Sequence, residues 1–390
     1  MLGVIATTIV HPAGHGSHAL WHAVSRGESA LRTGGSGWCD LPCWLGAVPG
    51  VDIDADFTKL ERWDCRNIRL ASLALRDRAF GDAVKGAAAV HGAARVGLVL
   101  GTSTSGIRST EAAYAARRRD GRWPEAFDYR RQHSLDALCR YTAGVLGLEG
   151  PMTTISTACS SSAKVFLTAQ RWIEAGIVDA AVVGGVDSLC LSTIHGFDSL
   201  QLLSDDVCRP FDAARKGISI GEAAGFALLS RNPAPVLFAG GGESSDAWHM
   251  STPHPEGRGA QAAMQMALDA ARVRAQDIGY VNAHGTATPA NDSSESAALR
   301  CVFGADTVPV SSTKGITGHT LGAAGIVEAV VTMLALEQQA LPPSANLRRK
   351  DDELGVNVVT AAAPARFRHA MSNSFGFGGS NCSLVFSQAT

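Results

Sequence analysis

The stretch MTTISTACSSSAKVF, Met152 to Phe166, decides how the chain is read. Thr153 to Thr157 is β-branched and reads as the end of a strand; Ala158 to Phe166 carries small residues and then apolar ones at helical spacing. Cys159 falls at the junction. A cysteine there meets the free N–H groups and positive dipole end of the following helix, a setting expected to lower its thiol pKa. Ser160, Ser161 and Ser162 suit a helix start. A lone cysteine in such a turn is more often a packed structural residue, so the company it keeps decides its meaning.

Working outward, strands and helices alternate along the chain. Residues 1–10 read as a strand, Ser17 to Ser25 as a short helix, 27–54 as a Gly/Pro/Trp-rich loop region and Lys59 to Ala79 as one helix. Two series then run in the same order. VGLVLG (96–101), a helix, TTISTACSSS and AAVVGG (180–185) form the first. IGYVNAHGTAT (278–288), a helix, VPVSSTKGITGH (308–319) and AMSNSFGFGGSN (370–381) form the second. The Asn232-Pro233-Ala234-Pro235 break divides them into halves 1–234 and 235–390. Alternating elements imply an α/β fold of parallel sheets covered by helices, with ligands collecting at the carboxyl ends of the strands.

The length of 390 residues suits two domains, and 46% hydrophobic against 18% charged residues implies a large buried core. A net charge of −2 gives no general case for nucleic-acid binding, and no run of about eighteen apolar residues marks a membrane span. Nine scattered cysteines, an odd number, argue against a disulfide framework and for a reducing cytoplasm. Cys39 and Cys43 lack a second matching pair for zinc, and no metal is expected.

Equivalent turns of the two halves carry Cys159, His284, and the pair Lys314 and His319. A thiolate can take an acyl group from a thioester, given two N–H donors for the oxyanion. The Cys159 N–H is one, and the glycine turn at Phe375-Gly376 can bring a second. Two neutral imidazoles aimed at one point can stabilise the enolate left when a malonyl thioester loses CO2, so no strong base is needed. Lys314 would raise the local positive potential. Basic residues cluster at two places: Lys59, Arg62, Arg66 and Arg69 share one face of the expected helix, and Arg117, Arg118, Arg119, Arg122, Arg130 and Arg131 follow. Each is either a solvated face or a docking strip for an acidic partner.

TACSSS (157–162), HGTATPAND (284–292), STKGITGHTLGAAG (312–325) and NSFGFGGSN (373–381), with GGESSDAWHM and CRPFDAARKGISIGEAAG, together resemble the β-ketoacyl-acyl-carrier-protein synthases, elongating branch. The resemblance spans essentially the whole chain. It implies a thiolase-like layered αβαβα fold with two duplicated halves. It implies an acyltransferase that joins malonyl units to a cysteine-bound acyl group, in fatty-acid elongation or a polyene or polyketide pathway. By it Cys159 is the nucleophile, His284 and His319 the decarboxylation pair, Lys314 the associated lysine and Glu328 a supporting acid. Phe375 is the gate, with its N–H as second oxyanion donor beside Gly376. Thr286 and Thr288 hold the pantetheine arm, and Thr104 lies at the end of the acyl pocket. No cofactor is bound; substrates ride on the phosphopantetheine of an acidic acyl carrier protein, which would dock on Arg62, Arg66, Arg69, Arg117 and Arg118. The protein would act as a homodimer, or as the catalytic chain of a heterodimer with a homologous subunit. A non-catalytic partner subunit would lack the cysteine. A thiolase would need a second active cysteine, which Cys382 does not match.

Overall fold

The computed structural model describes residues 1–34, 39–53 and 55–389. Part of the stretch read as loop, residues 35–38 and 54, lies outside the described residues. The strands that matter are β1 (Leu2–His11), β2 (Val96–Gly101), β3 (Met152–Ile155), β4 (Ala180–Asp187) and β5 (Ala223–Ser230), then β6 (Val236–Ser245), β7 (Ile278–Asn282), β8 (Pro309–Ser311), β9 (Asn357–Val358), β10 (His369–Gly376) and β11 (Ser380–Gln388). They join a twelve-stranded sheet in the order β9-β8-β7-β10-β11-β6-β1-β5-β4-β2-β3, with Gly14–His15 hanging off β1.

The duplication is visible in this order. Outward from the β1–β6 junction, one half runs β1-β5-β4-β2-β3 and the other β6-β11-β10-β7-β8. The pairings correspond. β2 is parallel to β3 and β4, as β7 is to β8 and β10. β5 is antiparallel to β4 and β1, as β11 is to β10 and β6. The expectation of parallel sheets is therefore corrected: in each corresponding set of five, one strand, β5 or β11, runs against the other four. The reason is the connections. β10 and β11 are joined through the short turn Phe377–Gly379, and a parallel pair needs a crossover of about a dozen residues.

The helices concerned are α1 (Arg66–Ala74), α2 (Arg78–His91), α3 (Ile107–Asp120), α4 (Ala137–Leu146), α5 (Ser161–Glu174), α6 (Arg258–Ala271), α7 (Pro289–Phe303) and α8 (Ala324–Gln338). Side chains alternate across each strand and fall into separate apolar clusters. In β2, Val99 faces the cluster holding α5 and α8, while Val96, Leu98 and Leu100 face the one holding α1, α2 and α4. In β7, Tyr280 faces the α5–α8 cluster, while Ile278 and Val281 face that of α6. The result is the expected five layers: helices, half-sheet, the central α5–α8 pair, half-sheet, helices. α8 is apolar on nearly every side; Leu321–Gln338 is long and apolar enough to cross a membrane, yet 89% of it is buried inside the fold, as a central helix requires.

Lys59 to Ala79 is not one helix. A 3-10 segment, Ala55–Trp63, is kinked at Glu61 (φ 50°); Cys65 is extended before α1, and Asp77 caps α2 by accepting from Phe80 N at 3.2 Å. The four cations therefore do not share a helix face.

α5 and α8 meet where Gly325 lies against Ala163, and a Cβ on Gly325 would stand 2.8 Å from the Ala163 Cβ and press on its backbone N. Gly325→Ala is expected to destabilise the protein by about 3 kcal/mol through this overpacking, read as a lowered denaturation midpoint against wild type.

Candidate active site

The turn after β3 places Cys159. Ala158 has φ 52°, and the Ser160 and Ser161 hydroxyls donate to Thr157 O at 2.9 Å and Ala158 O at 2.6 Å. These bonds fold the turn back on itself. Ser162 Oγ accepts from Ile326 N at 3.0 Å, joining the first turns of α5 and α8. Cys159 is 5% exposed. Burial pushes its thiol up to about 12, against the opposing pull of the Lys314 charge and the Phe377 N–H. The expected lowering is thus reversed: desolvation outweighs those opposing influences in the unliganded site.

His284, His319 and Lys314 converge on that sulfur. His319 Nε2 lies 2.9 Å from Cys159 Sγ. The two imidazoles are 5.3 Å apart, ring centre to ring centre, and nearly perpendicular at 85°. Their Nδ1 atoms are engaged. Leu321 N donates to His319 Nδ1 at 3.3 Å, and the Lys314 ammonium lies 3.3 Å from His284 Nδ1. An Nδ1 facing a donor must be the acceptor, so each ring carries its proton on Nε2. Burial, reinforced by the Lys314 charge, holds both rings well below the usual histidine range and therefore neutral. The ligand atoms of Cys159, His284 and His319 lie within 4.8 Å of one another, a spacing open to a metal ion. The tautomers argue otherwise: the rings offer N–H groups to the cavity rather than lone pairs, which suits an anion.

Lys314 also donates to His284 O and pairs with Glu328; both side chains are buried. Ser374 Oγ donates to Glu328 at 3.2 Å. Burial raises the Glu328 carboxyl and Lys314 opposes the shift. Four buried groups from four segments are thus tied by charge-assisted bonds.

Cys159, His284 and His319 open onto a cavity of about 140 Å³. Phe197, Leu200, Leu202 and Ile218 give it an apolar wall; Thr286 and Thr288 line it as well. Their hydroxyls are 3.0 Å apart, and Thr288 caps α7 through Asn291 N at 3.3 Å. Phe375 is also on the wall, its ring centre 6.0 Å from that of His284. Gly376 is required for space: a Cβ there would lie 3.2 Å from Cys159 N and 2.9 Å from Thr157 O. The backbone N–H that bears on the Cys159 thiol is that of Phe377, whereas the sequence reading expected the Phe375 N–H as the second oxyanion donor. Phe375 is held in the β10–β11 ladder opposite Asn381, whereas Phe377 sits in the turn beyond it and packs on Phe197 at 5.4 Å.

Thr104 is buried, and its hydroxyl donates to Asp187 at 2.9 Å; it is not among the residues lining this cavity. Of the arginines, Arg66 is 7% exposed, and pairs with Glu222 and Asp52 at 2.6 Å each. It belongs to a core ion pair and, contrary to the sequence expectation, offers no docking surface. Arg69 is half-buried on Asp64 at 2.6 Å; Arg62, Arg117 and Arg118 are exposed, with Arg117 stacked 4.5 Å over Trp123.

Three residues were missed. Glu295 accepts from His284 N at 2.8 Å and Gly285 N at 2.7 Å, and burial pushes its carboxyl up to about 7. Asp292 holds Ala287 N at 3.1 Å. The Asp-x-x-Glu spacing just after HGTAT was the available signal. The third, Asp187, closes β4; an acid ending an apolar strand marks it.

With both histidines neutral, 15N-labelled His284 and His319 rings are expected not to titrate between about pH 8 and about pH 6. A midpoint near the ordinary value of about 6.5 would mean that burial does not control them.

The comparisons agree with this geometry. Residues 3–234 match the model of the beta-ketoacyl synthase N-terminal domain, and residues 237–348 that of the C-terminal domain. The chain is 36% identical over 308 residues to nodulation protein E of Rhizobium meliloti, covering 76% of each. It is 33% identical to 3-oxoacyl-[acyl-carrier-protein] synthase 2 of Rhizobium meliloti (strain 1021), covering 99% of this chain and 98% of the relative. Among solved structures it resembles a chain of the complex of the ketosynthase ApeO with its chain length factor ApeC from Xenorhabdus doucetiae, at 40% identity and a TM-score of 0.90, covering 100% of this chain and 98% of that one. With buried thiol, paired neutral imidazoles and matched halves already in place, these matches make the chain a member of the β-ketoacyl synthase family.

Proposed function

We propose that this β-ketoacyl synthase uses Cys159, His284, His319 and Lys314 to condense a malonyl carrier thioester with an acyl group held on Cys159. The observation that carries the assignment is the approach of His319 Nε2 to within 2.9 Å of the Cys159 sulfur, with His284 beside it. In the first step Cys159 attacks the acyl thioester; its proton leaves with the pantetheine thiol, and the Cys159 and Phe377 N–H groups receive the oxyanion. In the second the malonyl thioester loses CO2, and the Nε2–H groups of His284 and His319 stabilise the enolate oxygen. Its carbon attacks the acyl-cysteine and expels the Cys159 thiolate, giving the β-ketoacyl carrier. Burial, reinforced by the charge of Lys314 that Glu328 holds, keeps both rings neutral donors. Phe377, between the sulfur and Phe197, takes the gate role first given to Phe375. Thr286 and Thr288 line the arm for pantetheine. In this reading half 1–234 supplies the nucleophile and half 235–390 the two imidazoles and the lysine.

The acidic carrier would dock on Arg62, Arg69, Arg117 and Arg118, the expected arginines that retain exposure. A second subunit would pair at β3, the outer edge of the sheet, where Met152 is 48% exposed. The similarity to a complex of a ketosynthase with its chain length factor favours a homologous, non-identical partner, and the presence of Cys159 favours this chain as the catalytic one. Nine free cysteines are in keeping with a cytoplasmic setting.

Cys159→Ala is expected to abolish both acylation and condensation; acyl transfer to that variant, seen by intact mass, would overturn the assignment. His284→Ala and His319→Ala should still accept the acyl group while malonyl decarboxylation falls by about 10²-fold or more. The subunit reading is checked by native mass: the chain alone should fail to form a stable homodimer, whereas a stable active homodimer would remove the case for a distinct partner.

A further inference from the structure

Asp187 is fully buried at the end of β4 and makes no ion pair among the described residues. Its charge is held instead by hydroxyl and backbone donors from both halves of the molecule. Thr102 Oγ1 donates at 2.7 Å, Ser103 N at 2.9 Å, Thr104 N at 2.9 Å and Thr104 Oγ1 at 2.9 Å, with the Ser103 hydroxyl as a further donor. From the second half Gly322 N donates at 2.6 Å. The fit at Gly322 is tight: a Cβ there would stand 2.6 Å from Asp187 Oδ2 and 2.8 Å from Ser103 N.

The residue before Gly322 is Leu321, which holds φ 56°, a conformation that a branched side chain adopts only when its surroundings enforce it. In that conformation the Leu321 N–H points at His319 Nδ1, 3.3 Å away. The bond that makes His319 an Nε2–H donor toward Cys159 therefore depends on a strained turn, and the next N–H in that turn is clamped by Asp187. The same carboxylate clamps Thr102 to Thr104, the turn that follows β2.

We infer that Asp187 is a positioning residue that fixes the His319 proton on Nε2 by anchoring the Leu321–Gly322 turn. It also locks the Thr102–Thr104 turn and the decarboxylation histidine into one unit. All its neighbours are donors, so an amide in its place turns an NH2 group toward at least one N–H and loosens the clamp. The consequence for catalysis rests on the condensing reading above; the consequence for the resting tautomer does not.

The test is Asp187→Asn, with Gly322→Ala as a second variant that crowds the same contact from the other side and Thr104→Val as a control that removes one donor without touching Gly322. Acylation of Cys159 should persist within about threefold, because the N–H groups of Cys159 and Phe377 are untouched and a negative charge is removed from near the thiol. Malonyl decarboxylation should fall by about 10²-fold in both variants. The 15N ring signals of His319 in the resting protein should shift from a single Nε2–H form to a mixture, while Thr104→Val keeps the wild-type pattern. Unchanged His319 signals in Asp187→Asn and Gly322→Ala would overturn the inference, as would parallel loss of acylation and decarboxylation. If wild type failed to decarboxylate the malonyl carrier, the condensing reading would fall, and the ring signals would still decide the role of Asp187.

Discussion

The close crossing of α5 and α8 is the constraint on which the site depends. Gly325 against Ala163 lets the two helices touch at their first turns, and the Ser162–Ile326 bond fixes their register. Cys159 precedes one of these helices and His319 precedes the other. Only because the helices meet end to end at this depth do a thiol and an imidazole 160 residues apart come within hydrogen-bonding distance. A larger residue at the crossing would act on catalysis through packing alone, since interiors transmit such shifts rather than absorb them.

Around that contact the electrostatics follow one theme. The dry centre disfavours charge, so the thiol is raised and the imidazoles are kept neutral. The charges that remain are few and tied. Lys314 pairs with Glu328, Asp187 is held by N–H and hydroxyl donors, and Arg66 pairs with Glu222. Each is fully engaged, the condition under which a buried polar network gives a defined geometry instead of merely costing stability. In the proposed reaction the site would meet its substrates with fixed N–H groups, which need no reorganisation when an oxyanion or enolate forms.

Much of this was legible in the sequence because it is encoded locally. The strand–turn–helix punctuation around Cys159, His284 and His319 gave the elements, their order and the equivalence of the halves. What was not legible came from contacts between distant segments. The antiparallel strands β5 and β11 look like any other apolar run, and only the short β10–β11 turn betrays the direction of one of them. Arg66 was read as part of an exposed strip because its partner Glu222 is 156 residues away. The cysteine was expected to be acidified by its helix, a local effect, but the desolvation that prevails comes from the whole fold. Phe375 and Phe377 are two residues apart, and only the tertiary turn shows that Phe375 stays in the hairpin ladder while the Phe377 N–H lies by the thiol.

The matched order of the two half-sheets has a consequence for how such a molecule can be encoded. Two identical copies of one half, paired about the β1–β6 junction, would bring like turns together: thiol facing thiol, or imidazole facing imidazole. Neither assembly holds both the thiol and the pair of imidazoles. Division of labour between near-equivalent positions therefore demands that the two copies be free to diverge. Fusing them into a single polypeptide grants that freedom while guaranteeing one of each in every molecule.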